Sequence, residues 1–393
     1  MTISTPYYEI SEEQIEYNVS NLESAINKYW KNTIVGYSFK TNSLVAVCEY
    51  MKRRGYYAEV VSTDEYELAK LLEFDSKKII YNGPCKTKEA LFEALDNDDI
   101  VNLDGMREID WVIEYSKSHG KKISVGIRVN FKLEEMCKGE TAMGKVGSRF
   151  GFTYENGDVK KVVDMLAANG IGVSGLHLHN SSKTRSIAIY DAITKKAVEI
   201  AKTLNLSLRY VDVGGGFFGG VKGRIDFYDY FEIMRKNLLE YFDENLTLIV
   251  EPGASVVASA IKYVTSVIDV KDNSYGVRIV VTDGSRIHID PLMQKARYDY
   301  EIESENSVNF SKQSVCGFTC MEHDVIMDIE DKTELHVGDK ITYNKVGSYS
   351  MTLSPLFIGY FPGVYFVEKD GNIECVREKW KAEQLIQKQK VIR

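Results

Sequence analysis

Between about residue 33 and residue 260, short apolar runs alternate with longer amphipathic stretches, eight times over. No other feature constrains the fold as much. The runs cover 33–39, 58–61, 78–81, 100–103, 123–129, 173–178, 210–213 and 247–250. Each is short and apolar or β-branched on both faces, as a parallel strand covered by helices has to be. Helical patterns fill the gaps, over 43–54, 63–72, 86–95, 106–118, 158–169, 187–204 and 227–242. Several open on a Ser, Thr or Asp in N-cap position. Eight strand–helix units in about 250 residues is the arithmetic of a (β/α)8 barrel. An open doubly wound sheet is the rival. The position of the unusual residues favours the barrel, because a barrel gathers its chemistry at the C-terminal ends of many strands. Here Lys40, Ser62, Arg128, His179, Gly214–Gly216 and Glu251 follow successive strands.

Beyond residue 260 the pattern changes. The stretches 261–270, 276–282, 325–329, 339–343 and 364–367 read as strands with no long helix between them, and Asp370-Gly371-Asn372 reads as a hairpin turn. The expected architecture is therefore α/β: a (β/α)8 TIM barrel over 26–260, plus a C-terminal antiparallel β domain built from 261–393 together with 1–25. Two domains suit 393 residues. The charge, 49 basic against 57 acidic residues for a net −8, disfavours nucleic acid and anionic membrane surfaces as partners. No apolar run approaches the roughly 20 residues of a membrane span, and the N-terminus carries no export signal. A cytoplasmic location with reduced cysteines is the resulting expectation.

Several residues could carry chemistry. Lys40 closes the run TIVGYSFK and precedes a polar turn. A solvated surface lysine is the ordinary reading; a Schiff-base lysine at a barrel mouth is the functional one. Gly214, Gly215 and Gly216 expose backbone N–H groups in a nest suited to phosphate, although they match neither the dinucleotide nor the Walker pattern. Glu251, before Pro252-Gly253, is either a structural partner of a barrel arginine or the counter-ion of a protonated ring nitrogen. His177 and His179 share one face of a strand, where one of them could stack on a flat cofactor. Cys316, Cys320 and His323 do not fit the common zinc spacings, so no metal is expected.

In order along the chain, these segments resemble the fold-type III pyridoxal-phosphate decarboxylases, the group of diaminopimelate, ornithine and lysine decarboxylases. The resemblance runs from about residue 30 to 362. YSFKTN is similar to the family's Y-x-x-K-A-N, VVSTDEYEL to its V-x-S-x-x-E-x-x-L, and GSRFGF to its K-F-G segment, with Arg149 for the usual lysine. HLHNSS resembles H-x-H-x-G-S, VDVGGGF the phosphate glycines, and EPG the ring-nitrogen glutamate. GFTCMEHD resembles G-P-x-C-x-x-x-D, and GSYSMTLSPLFIG the closing G-A-Y…F-N-G segment.

The resemblance implies a pyridoxal 5′-phosphate enzyme with an alanine racemase/ornithine decarboxylase-like fold. Lys40 would carry the Schiff base, His179 would lie over the ring, and Glu251 would face its nitrogen. Ser182, Gly214–Gly216, Arg128 and Tyr349 would contact the cofactor. Cys320 would reach into the site of a partner subunit, giving a homodimer with shared active sites, and Cys320 or Lys40 would protonate Cα. Ala254 stands where the family usually has a phosphate-binding Arg.

For the substrate, Asp290 stands where diaminopimelate decarboxylases carry the Arg that holds a distal carboxylate. An aspartate there would repel that carboxylate. Met321 follows the cysteine where an acid is common, with Glu322 next to it. Asp290, Met321 and Glu322 would thus select a basic amino acid such as ornithine or lysine, or a larger specialised metabolite. An amino-acid racemase on the same fold and a catalytically inactive regulatory homologue are the alternatives.

Overall fold

The structure, a computed structural model, describes residues 3–221 and 223–390. The chain starts with β1 (Tyr7–Ser11) and α1 (Glu12–Tyr29). The strands that follow are β2 (Thr33–Ser38), β3 (Tyr57–Ser62), β4 (Ile79–Cys85), β5 (Ile100–Leu103), β6 (Ser124–Asn130), β7 (Phe152–Thr153), β8 (Gly172–His177), β9 (Tyr210–Asp212) and β10 (Thr247–Val250). Between them run α2 (Val45–Arg53), α3 (Thr63–Leu71), α4 (Lys88–Asp96), α5 (Met106–His119), α6 (Leu133–Met136), α7 (Asp158–Ala168), α8 (Ile187–Thr203) and α9 (Phe227–Leu238). The N-cap signals act as the sequence suggests: Ser62 accepts from Glu65 N, Thr87 from Ala90 N and Asp226 from Tyr228 N.

All pairs in this sheet are parallel, in the order β5-β4-β3-β2-β10-β9-β8-β6, and a β5–β6 pairing closes it into a barrel. The two-residue β7 adds to the edge of β6 and was not foreseen. Along the strands the lumen changes character. Ile34, Tyr57, Ile80, Ile100, Tyr210 and Ile249 come from the first two or three positions of their strands and pack into an apolar layer. Farther along, the inward positions turn polar. An apolar plug at one end and a polar layer at the other direct any chemistry to the C-terminal face.

The remaining strands form a second sheet: β11 (Ile261–Asp272), β12 (Arg278–Thr282), β13 (Asp299–Glu303), β14 (Asn309–Cys316), β15 (Val325–Thr333), β16 (Lys340–Asn344), β17 (Gly363–Val367) and β18 (Ile373–Arg377). Their order is β15-β14-β12-β11-β1-β17-β18, with β16 joining β11 to β13. This sheet is mostly antiparallel, and two pairs depart from the expectation. β1 runs parallel to β17, and β12 runs parallel to β14. The first pair joins opposite ends of the chain. The second is joined by a crossover of some 26 residues, Asp283–Val308, long enough for the reversal a parallel pair needs. The hairpin at Asp370-Gly371-Asn372 joins β17 to β18, with Gly371 at φ +87°.

β13, β14 and β18 escaped the sequence reading. DYEIE and IECVR alternate apolar with charged residues and bury little, so their apolar signal is weak. The chain divides into two compact units, Asn18–Ser255, and the residues up to Tyr17 together with those from Val256 onward. These boundaries differ from 26 and 260. The later turns of α1 belong with the barrel, where Val19, Leu22 and Ala25 are buried and Trp30 donates to Leu246 O at 2.9 Å. At the other end, Gly347 N bonds to Ala258 O, which ties that segment to the β-rich unit.

Candidate active site

Most barrel strands deliver a polar side chain to the upper lumen, and hydrogen bonds join several of them. Lys40 lies in a 3-10 turn just past β2, its side chain about one-third exposed, and its Nζ is 3.1 Å from Glu59 Oε2. Glu59, from β3, is fully buried and also accepts from Ser38 Oγ at 2.6 Å and from Asn82 Nδ2 at 3.0 Å. Asn82, from β4, donates to Glu251 Oε1 as well. Asn102, from β5, donates to Asn82 Oδ1 at 2.8 Å and to Asp212 Oδ2 at 3.2 Å, while Tyr210 OH donates to Asn102 Oδ1. Lys40 and Glu251, 211 positions apart in sequence, therefore belong to one continuous network.

The two histidines stand beside this network. Their rings are nearly parallel, 14° apart with centroids at 6.3 Å, as the period-two reading required. His177 Nε2 is 3.7 Å from Glu251 Oε2, too far for a hydrogen bond. Burial, reinforced by the positive Arg128, holds His177 well below its ordinary value. Burial and the Lys40 charge bring His179 down to about 3. Both rings are thus neutral at physiological pH. Arg128 Nη1 is 3.4 Å from Asp104 Oδ1, and its Nη2 donates to the His179 carbonyl at 3.3 Å.

The glycine turn is dictated by its neighbours. A Cβ on Gly214, which sits at φ +71°, would lie 2.3 Å from His179 Cβ and 2.4 Å from its Nδ1. A Cβ on Gly215 would lie 2.2 Å from the Glu251 carbonyl oxygen. Only bare backbone can pass between the histidine and the glutamate. Ser182 Oγ accepts from Arg185 N at 2.6 Å within the loop that follows His179.

The barrel thus gathers Lys40, Arg128, His179, Gly214, Gly215, Gly216 and Glu251. Ser182 lies in the barrel unit too, and the other expected residues lie in the β-rich unit. Cys320 is exposed, in the loop between β14 and β15, with the half-buried Met321 and the exposed Glu322 beside it. Asp324 ties that loop down, accepting from Ser285 Oγ, Arg286 N, Thr319 N and Thr319 Oγ1. Tyr349 adopts φ +54° and is partly exposed.

Asp290 requires a correction. It is no free carboxylate: it is buried and bonded to Arg286 at 3.0 Å, to the backbone N of Gln294 and Lys295, and to Tyr298 OH. Those partners neutralise it, so repulsion by Asp290 is no argument against a distal carboxylate.

Sequence reasoning missed Glu59, Asn82, Asn102, Asp104 and Asp212. Their signal was present: each interrupts or ends an otherwise apolar strand, and an inward polar residue on a buried parallel strand needs a purpose.

Residues 13–258 match the family model described as pyridoxal-dependent decarboxylase, pyridoxal binding domain. The diaminopimelate decarboxylase of Methanocaldococcus jannaschii is 28% identical over 370 residues, covering 89% of this chain and 83% of that protein. A probable chloroplastic diaminopimelate decarboxylase of Oryza sativa is 27% identical, covering 95% of this chain and 77% of that protein. The crystal structure of the M. jannaschii enzyme in complex with L-lysine superposes with a TM-score of 0.85 at 27% identity, covering 99% of this chain and 92% of that one. With the family model spanning well over half of its length, the chain belongs to the pyridoxal-dependent decarboxylases and is a PLP-dependent amino-acid carboxy-lyase.

Proposed function

We propose that Lys40 carries pyridoxal 5′-phosphate as a Schiff base, and that the enzyme decarboxylates an α-amino acid whose side chain ends in an ammonium group. The observation that carries this reading is the unbroken run of hydrogen bonds from Lys40 through Glu59 and Asn82 to Glu251. The residues fit the cofactor. His177 Nδ1 and Nε2 and His179 Nδ1 are buried without hydrogen-bond partners, and the glycine turn carries no side chains of its own, with Gly214 N already held by Asp212. When bound, the cofactor supplies the conjugated ring that accepts the electron pair left as the α-carboxylate departs.

The chain's own residues do the rest. Glu59, pinned by Ser38 and Asn82, is placed to take a proton from Lys40 Nζ and to return it. Glu251, oriented by Asn82, supplies the negative charge that keeps a ring nitrogen protonated. Neutral His179 offers a flat face without a cation that would oppose that nitrogen. Gly214–Gly216, Ser182 and Arg128 are the assigned phosphate and cofactor contacts of the barrel. Cys320 of a second chain completes each site in a two-fold dimer, where Cys320 or Lys40 protonates Cα.

For the substrate, Glu322 beside Cys320 is the acid free to meet a distal ammonium, a group common to diaminopimelate, lysine and ornithine. Among the described residues no helix is long and apolar enough to cross a membrane. The six unpaired thiols suit a reducing, cytoplasmic setting.

The test is direct. Lys40→Ala should abolish the visible absorbance of the holoenzyme and lower kcat by roughly 10²–10⁴-fold or more. Release of CO2 should occur with one or more of diaminopimelate, lysine and ornithine. A Lys40→Ala protein with full activity would sink the cofactor assignment, and turnover of neutral amino acids alone would sink the substrate class.

A further inference from the structure

Asp212 and Glu251 lie side by side in the lumen with no cation of their own. Asp212, the last residue of β9, is completely buried. Its Oδ1 accepts from Gly214 N at 2.9 Å and its Oδ2 from Asn102 Nδ2 at 3.2 Å. Its carboxylate, that of Glu251 and His177 offer atoms that all lie within 4.8 Å of one another. The nearby cations are already matched: Lys40 faces Glu59 at 3.1 Å, and Arg128 faces Asp104 at 3.4 Å. What faces the pair is His177 from β8, Asn82 from β4, Asn102 from β5 and the Tyr210 hydroxyl from β9, while the Arg128 charge reaches both carboxylates but is shared with Asp104 and Glu59. Among the described residues no lysine or arginine forms an ion pair with either carboxylate.

Two adjacent buried carboxylates without a counter-ion cannot both stay ionised. We propose that Asp212 holds a proton and donates it in a hydrogen bond to Glu251, so that the pair carries a single negative charge that matches one protonated ring nitrogen. Burial and the Glu251 charge both push the Asp212 carboxyl upward, in the same direction as the geometry. Asp212 is then a positioning residue that acts through Glu251. A doubly charged pair would overcompensate a pyridinium, and a neutral pair would leave it without a counter-ion. The inference rests on the assignment of Glu251 to the ring nitrogen.

The test is infrared difference spectroscopy of the holoenzyme, wild type minus Asp212→Asn, at neutral pH in H2O and D2O. The expected result is a protonated-carboxyl C=O band that shifts in D2O and is missing from the variant. Absence of that band overturns the proposal. Rescue supplies a second readout. Asp212→Asn is neutral and able to donate an amide hydrogen to Glu251, so it should retain at least about tenfold more kcat than Asp212→Ala. Equal damage in the two variants also overturns the proposal. Should Asp212→Ala fail to fold, the infrared band decides alone. The same measurement on cofactor-free protein separates this outcome from failure of the cofactor assignment, which shows instead as a wild-type holoenzyme without visible absorbance.

Discussion

His177 and His179 illustrate how burial sets a residue's chemistry. In an unfolded chain each imidazole takes up a proton near pH 6.5; in the lumen His177 stays neutral well below that, and His179 down to about 3. Between those values the unfolded chain binds protons that the folded one refuses. The stability these histidines contribute is therefore fully present above about pH 6.5 and is lost as the pH falls. His179 should cost about 1.5 kcal/mol between pH 6.5 and pH 5, and His177 acts in the same direction. Thermal melting of cofactor-free protein across that range should show the wild-type midpoint falling relative to that of the His177→Gln/His179→Gln double variant, a comparison that cancels the opposite pull of carboxyls such as the half-buried Glu65 and the buried Asp99. Parallel profiles for the two proteins would contradict the assignment of both rings as neutral.

At the scale of elements, function depends on turns that place backbone where a side chain would collide. Gly214→Ala sets a methyl group against the His179 ring at a positive φ. The strain, about 1–3 kcal/mol, should fall on the histidine and weaken cofactor retention roughly ten- to hundredfold in equilibrium dialysis. In the β-rich unit the Cys320 loop depends on Asp324, whose two oxygens accept from two hydroxyls and two backbone N–H groups. Asp324→Asn replaces one acceptor oxygen by a donor and should lower stability by about 2 kcal/mol in urea unfolding. If Cys320 serves catalysis, kcat should fall with it. The sequence made the barrel elements legible because apolar parallel strands and capped helices carry strong local signals. It missed β13 and β18, whose charged residues dilute the apolar pattern, β14, whose NFSKQS start is mostly polar, and the parallel β1–β17 pair, which joins residues about 350 apart.

At the scale of the whole molecule, the proposed sharing of sites between two chains has a sharp consequence. Lys40→Ala and Cys320→Ala chains should each be nearly inactive alone, because the first damages the site on its own barrel and the second the site of its partner. Mixed after dissociation, they form hybrids in which one of the two sites is intact. About a quarter of wild-type activity should return if the chains pair at random. Continued inactivity of the mixture, with dimers confirmed by sedimentation, would show that Cys320 serves the chain it belongs to.

The order of strands, the cap residues and the motif positions at Lys40, His179, Gly214–Gly216 and Glu251 were open to reading from the sequence, because periodicity and turn chemistry are local properties. Glu59, Asn82, Asn102 and Asp212 acquired meaning only from barrel closure. Closure brings strands distant in sequence around one lumen, and hydrogen bonding there depends on facing direction and distance rather than on spacing along the chain. Asp290 makes the same point in reverse. Its charge is plain in the sequence, but the Arg286 that cancels it was recognised only once the two side chains were seen in contact.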